Sequence, residues 1–128
     1  MGNRPQDVAS EVSFVDVTIA SGASLSTVGA LGGMHLVGVI TGAAWTDAAI
    51  SFLGKDPAGE AMVPLYDAAS GDPVSVVKPG ANLSAARWYP LDPRKFIGVN
   101  DIQILSGVHG TAVNQAAART LRLVCRKL

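Results

Sequence analysis

The feature that most constrains this chain is an alternation of apolar and polar residues with a period of two. It is clearest in residues 119–126, where Leu121, Leu123 and Cys125 alternate with Arg122 and Arg126. Successive side chains of a β-strand point to opposite faces. The apolar set is therefore predicted to face a core and the arginines to face solvent, as the outer surface of a last strand rather than as a phosphate-binding patch.

The same period recurs after residue 11, from Val15, Val17 and Ile19 onwards. Further strands are predicted at residues 34–41, 48–54, 62–67, 74–78, 87–91 and 97–106. Pro64 cannot donate to a ladder, so its strand is expected at an edge. Turn residues separate about eight or nine strands, a spacing typical of sandwiches and barrels. The pattern predicts an all-β fold, an antiparallel β-sandwich that is jelly-roll-like, with a loop at 107–110 and at most a helical turn at 114–118.

The first eleven residues differ from the rest of the chain. They are polar, show no period and contain Pro5, which predicts a flexible N-terminal arm followed by one sandwich domain over residues 12–128. With little to bury, the arm cannot offset an ordering cost of about 1–2 kcal/mol per residue. Arg4, Pro5 and Gln6 are therefore candidate partner-binding residues that would order on a partner; the alternative is a terminus without a role.

Composition excludes several classes of function. Ten basic and ten acidic residues give no net charge, which argues against nucleic-acid binding by a broad basic face. No apolar run reaches the roughly twenty residues of a membrane helix, and no signal peptide is recognisable, so a cytoplasmic site of synthesis is expected. The chain is 48% hydrophobic and only 16% charged, which favours apolar surface covered by partners and self-association.

Residues with chemical reactivity are few. His35 and His109 are the only histidines, and neither they nor the single Cys125 lie in a zinc-ligand or triad pattern. His35 is expected to be a hydrogen-bonded core or edge residue, His109 a solvated loop residue, and Cys125 a small buried hydrophobe. The chain is therefore predicted to have no catalytic, cofactor or metal site and not to be an enzyme.

The adjacent Trp88 and Tyr89 are the strongest candidates for binding within the sandwich. Neighbouring residues of a strand point to opposite faces, so one of the two rings is expected to be exposed. Core packing is the favoured interpretation for each ring, and an exposed ring would be a candidate platform for a partner or a sugar.

The order of several segments resembles a known group of proteins. The segments that carry the resemblance are Ala-Trp-Thr-Asp-Ala-Ala-Ile-Ser-Phe at 44–52, Val-Pro-Leu-Tyr-Asp at 63–67 before a Gly-Asp-Pro turn, Leu-Asp-Pro at 91–93, Ile-Gln-Ile-Leu-Ser-Gly at 102–107, and Arg-Thr-Leu-Arg-Leu-Val at 119–124. This order resembles small structural proteins of tailed bacteriophages and prophages, some of which decorate or cement the capsid as β-sandwich trimers. The shared pattern marks a fold, so no functional residue is carried over.

The resemblance implies a virion structural protein made in the bacterial cytoplasm, specifically a decoration or cement protein that stabilises the head. Its expected partners are the major capsid protein or other virion proteins, and a homotrimer is its expected assembly. The alternative is a carbohydrate-binding or host-recognition module on the phage particle.

Overall fold

The computed structural model describes residues 12–59, 61–74, 77–81 and 85–127. These residues form nine strands and a short 3-10 helix, Pro93–Phe96. The strands are β1 (Val12–Ile19), β2 (Gly29–Ala30), β3 (His35–Thr41), β4 (Ile50–Lys55), β5 (Val63–Pro64), β6 (Arg87–Pro90), β7 (Asp101–Val108), β8 (Thr111–Ala112) and β9 (Arg119–Arg126).

The strands form two antiparallel sheets that pack face to face. The first sheet has the order β1-β9-β3-β6, and the second has the order β2-β7-β4-β5, with β8 paired to β7. Long strands of the first sheet are neighbours although they are far apart in sequence, since β1 pairs with β9 along its whole length. This arrangement confirms the predicted all-β sandwich.

The core lies between the sheets and is filled by the predicted inward-facing residues. Leu121, Leu123 and Cys125 of β9 are buried, while Arg122 and Arg126 are exposed. The largest fully buried side chains include Trp45, Phe52 and Phe96, and the rings of Phe52 and Phe96 meet edge to face at a centroid distance of 5.3 Å. Such aromatic contacts stabilise a core beyond the area they bury.

The position of β3 between β9 and β6 agrees with its apolar sequence on both faces. The edge position predicted for Pro64 is also confirmed, because β5 is the last strand of the second sheet. No helix among the described residues is long and apolar enough to span a bilayer.

Two predicted elements in the last third of the chain have wrong boundaries. The loop predicted at 107–110 is only a turn at His109 and Gly110, since β7 continues through Val108. Gly107 makes this possible: its φ is +95°, and a Cβ there would lie 2.9 Å from the α-carbon of Ala112. The strand predicted from residue 97 begins at Asp101, because a 3-10 helix and Gly98, with a φ of +91°, form a turn before it.

The segment predicted as a strand at 74–78 is described only in part. Val77 makes only an isolated bridge to Ile50, and residues 75 and 76 lie outside the described residues. Val74 and Val77 are both buried, so the apolar pattern identified core residues here.

The possible helical turn at 114–118 is a connection without helix, bent at 116–117 and held by Gln115, whose side chain is fully buried. Its Oε1 accepts from Thr46 N (2.9 Å) and from Arg119 Nε (3.1 Å), and its Nε2 donates to Thr46 O (3.0 Å) and to Ser106 Oγ (2.8 Å). The amide thus joins the segment before β9 to the loop before β4 and to β7. The backbone of Gln115 is paired with a different segment, since its N–H donates to Ala23 O (2.9 Å) and its carbonyl accepts from Gly22 N (2.8 Å).

Candidate functional site on the outer face of the first sheet

Strand register places two rows of side chains across the outer face of the first sheet. The first row runs through Phe14, Val124, Gly38 and Pro90. The second row runs through Asp16, Arg122, Ile40 and Trp88. We call the surface formed by these eight residues the aromatic face.

Trp88 dominates one side of the aromatic face, with 56% of its surface exposed. Its indole lies over Gly38 of the neighbouring strand, where a Cβ would collide with Nε1 and lie 3.2 Å from Cδ1. The glycine therefore creates the space in which the ring rests on the sheet. Core packing, the favoured interpretation for this ring, is wrong, and the prediction that one of the two adjacent rings is exposed is confirmed.

Tyr89 points to the opposite side of β6. Its ring is half-buried and packs against the core, and its Oη is buried without a hydrogen-bond partner among the described residues. Tyr89 therefore anchors the edge strand that presents Trp88, and the two neighbouring candidates do not form one site.

Phe14 and Arg122 form the other side of the aromatic face. Phe14 is 53% exposed, and the guanidinium carbon of Arg122 lies 5.5 Å from its ring centroid. Nε of Arg122 also donates to Oδ1 of Asp16 at 3.0 Å, and this bond raises the pKa of the arginine. The guanidinium thus contacts both a ring and a carboxylate on this side of the face.

Val124 lies in the middle of the face. It is only 2% exposed although it is on the outside of the sheet, and it is not part of the cluster between the sheets. A buried valine on an outer face means that its neighbours already cover it. The face is thus a packed apolar layer rather than a set of isolated side chains.

A shallow hollow of about 240 Å³ opens beside this layer. It is lined by Asp16, Ile40, Thr41, Gly42, Ala86, Thr120 and Arg122. The hollow brings a carboxylate, a guanidinium and a hydroxyl within the reach of a molecule resting on the aromatic face. A protein surface or a sugar could bind these groups. The carboxylate of Asp16 and the guanidinium of Arg122 are already paired with each other.

Among the predicted binding residues, Arg4, Pro5 and Gln6 lie outside the described residues. The sequence interpretation did not single out Phe14, Gly38 or Arg122 as parts of a binding face. A signal for Phe14 was present, because inward-facing Val15 and Val17 require Phe14 to point outward. No local signal marked Gly38, whose role depends on a strand 50 positions further along the chain.

The remaining reactive groups do not form a second site in the described part of the chain. No group of three or more His, Cys, Asp or Glu residues there could hold a metal ion. His109 is exposed as expected, but the expected hydrogen bonding of His35 is incomplete, since its buried Nδ1 has no partner among the described residues. Cys125 is buried as expected, and that burial raises the pKa of its thiol.

Comparison with known proteins finds a similarity in structure but none in sequence family. No protein-family model matches the chain, and no curated protein matches it. Among solved structures, the chain is similar to the SPBc2 prophage-derived protein YomS, with a TM-score of 0.48 and 16% sequence identity over 89% of this chain and 93% of that chain. No residue role is transferred from this similarity.

Proposed function

We propose that this chain is a non-enzymatic structural protein of a tailed-bacteriophage virion, and within it a capsid decoration protein that stabilises the head. In this proposal the aromatic face binds the major capsid protein or another virion protein, without a cofactor. The exposed Trp88 resting on Gly38, on the same face as the contacting pair of Phe14 and Arg122, is the observation that carries the proposal.

The composition and shape of the aromatic face support a protein partner. Trp, Phe and Arg are enriched at the centres of protein interfaces, where a few such residues contribute most of the affinity. Four strands spaced about 4.8 Å apart give a surface about 19 Å wide. Small-molecule sites, in contrast, are usually deep and concave.

The strand order supports the same class of protein. We assign the topology to the jelly-roll type, because β1, β3, β6 and β9 lie in one sheet while β2, β4, β5 and β7 lie in the other. Jelly rolls are common in viral capsid and lectin domains. The phage assignment itself comes from the resemblance of the strand and turn segments, and the fold is compatible with it.

One observation favours a second candidate, a carbohydrate-binding or host-recognition module. One face of the Trp88 indole rests on the sheet, and the exposed ring lies in the same row as Asp16 and Arg122. Aromatic rings with polar groups nearby can stack on sugars. A glycan array probed with the purified protein tests this candidate, since specific binding lost in Trp88→Ser would favour it over a protein partner.

Imaging of intact particles tests the first proposal. Particles of the phage that encodes this chain would be purified and examined by electron cryo-microscopy, with and without the gene. The proposal predicts density on the outside of the head that disappears with the gene, and heads that withstand less heating without it. Absence of the protein from purified particles would overturn the proposal, and density confined to a tail tip would favour host recognition.

A further inference from the structure

Four strands lie at sheet edges, and β1 differs from the other three. β2 and β5 have only two residues each, and β5 ends in Pro64. β6 has four residues and ends in Pro90. β1 has eight residues, without proline, and pairs with β9 without a register shift. Natural sheets protect long, regular edges because such edges template pairing with another chain.

Hydrogen bonds at the end of β1 show which backbone groups face this edge. The carbonyl of Thr18 accepts from Thr27 N at 2.9 Å, and its N–H donates to Thr27 Oγ1 at 3.0 Å. Both groups therefore point away from β9. Because the direction alternates along an antiparallel strand, Val12, Phe14 and Asp16 point the same way. In the described part of the chain, no backbone group pairs with these three residues on that side.

We propose that β1 of one copy pairs in antiparallel fashion with β1 of a second copy, about a two-fold axis at Phe14. Phe14 then faces its own counterpart, and Val12 faces Asp16 of the other copy. All six free N–H and C=O groups of the three residues on each copy are satisfied by this one register. The proposed pairing is a self-association that can be measured on the purified protein without phage particles. It therefore goes beyond the proposed virion function and does not depend on it.

The charges of the strand suit this register. Asp16 is the only charged residue in β1, and Arg122 of the same chain already binds it. In the proposed pair each Asp16 lies opposite a valine, so no like charges meet directly across the strands, an arrangement that would destabilise pairing. The pair also joins two aromatic faces into one surface, with the two Phe14 rings at its centre and a Trp88 towards each end.

A cysteine cross-link tests the register. Residues opposite each other in a hydrogen-bonded antiparallel pair have α-carbons about 5.5 Å apart, within the range of a disulfide. Mild oxidation of Phe14→Cys is therefore expected to give a covalent dimer in higher yield than oxidation of a control variant. The control is Val63→Cys, equally exposed at 55% on the second sheet, and the native Cys125 is buried in both proteins. Equal cross-linking of both variants, or none at position 14, would overturn the proposal.

Sedimentation of the unmodified chain and of two variants tests the backbone bonds. The unmodified chain should sediment at twice 13.1 kDa at about 50 µM. Asp16→Pro removes an N–H that faces the edge, so dissociation should become about tenfold easier than in Asp16→Ala, which loses only the carboxylate. A monomer, a dimer indifferent to Asp16→Pro, or the trimer implied by the family resemblance would each contradict the two-fold pair. The cross-link decides the matter if Asp16→Pro does not fold.

Discussion

The indole of Trp88 occupies the space that a side chain on Gly38 would need, so that an edge strand presents a large aromatic surface resting on its neighbour. Trp88 keeps 56% of its surface exposed in this position. An unsupported tryptophan would lose rotamer freedom on binding, whereas a ring already placed against a strand loses less. This relationship makes the outer face of the first sheet the best candidate for a binding surface.

Replacing Gly38 tests that relationship directly. Gly38→Ala introduces a Cβ that collides with the indole, so the ring should be displaced, with a loss of stability of about 1–2 kcal/mol from overpacking. Acrylamide quenching reports the displacement, because Trp45 is 1% exposed and should remain protected. Gly42→Ala is the matched control, since no atom lies within 4 Å of its added methyl group. Identical quenching in all three proteins would show that the ring does not depend on the glycine.

Gln115 is expected to be the most sensitive polar residue of the described chain. Gln115→Ala removes four hydrogen bonds and leaves buried partners unsatisfied, including Ser106, which is 0% exposed. We expect a loss of about 3 kcal/mol in the free energy of unfolding, measured by urea denaturation. Gln103→Ala, which removes only the bond from Nε2 to Ser26 O at 2.8 Å, should cost about 1 kcal/mol. Similar losses in the two variants would refute the special role of Gln115.

Cys125 should be unreactive in the folded protein. It is 1% exposed, and burial raises the pKa of its thiol, so little thiolate is available near neutral pH. Maleimide labelling at pH 7 should be at least about a hundredfold slower in buffer than in denaturant, because labelling requires opening of the structure. Rapid labelling of the folded protein would show that β9 opens locally, contrary to its central position in the sheet.

Acid should weaken the contact between Asp67 and the 3-10 helix. Asp67 Oδ2 accepts from Lys95 Nζ at 2.7 Å, and this bond lowers the pKa of the carboxyl below its ordinary value of 3.8. A depressed carboxyl pKa contributes stability above the unfolded value, and that contribution is lost as the pH falls through the folded value. The difference in urea midpoint between the unmodified chain and Asp67→Asn should therefore shrink between pH 6 and pH 2.5. A difference that is constant with pH would mean that the ion pair contributes nothing.

The parts of the fold that could be predicted are those determined by local alternation. β1 and β9 have inward-facing Val17, Ile19, Leu121 and Leu123 because a strand with one buried face must alternate. The buried amide of Gln115 could not be predicted in this way. Residues 114–118 carry only a polar pair followed by alanines, and the amide's partners, Thr46 and Ser106, are brought to it by the fold.

The candidate site was predictable only in part, for the same reason. Adjacent positions required Trp88 and Tyr89 to face opposite ways, but the choice of the exposed ring depended on which side of β6 met the second sheet. The burial of Val124 on an outer face depended on neighbours from other strands. Register between distant strands, which no short segment encodes, therefore determined the site.

The central claim is that the aromatic face attaches this protein to the virion head, and a retention assay tests it most directly. Heads purified from a phage lacking the gene would be mixed with labelled protein, and the bound fraction would be measured after sedimentation. Trp88→Ser should bind at least about tenfold more weakly than the unmodified chain, because a tryptophan that becomes buried at an interface contributes strongly to its affinity. Tyr66→Ser, which changes an exposed aromatic residue outside the first sheet, should bind normally. Equal retention of Trp88→Ser and the unmodified chain would contradict the account.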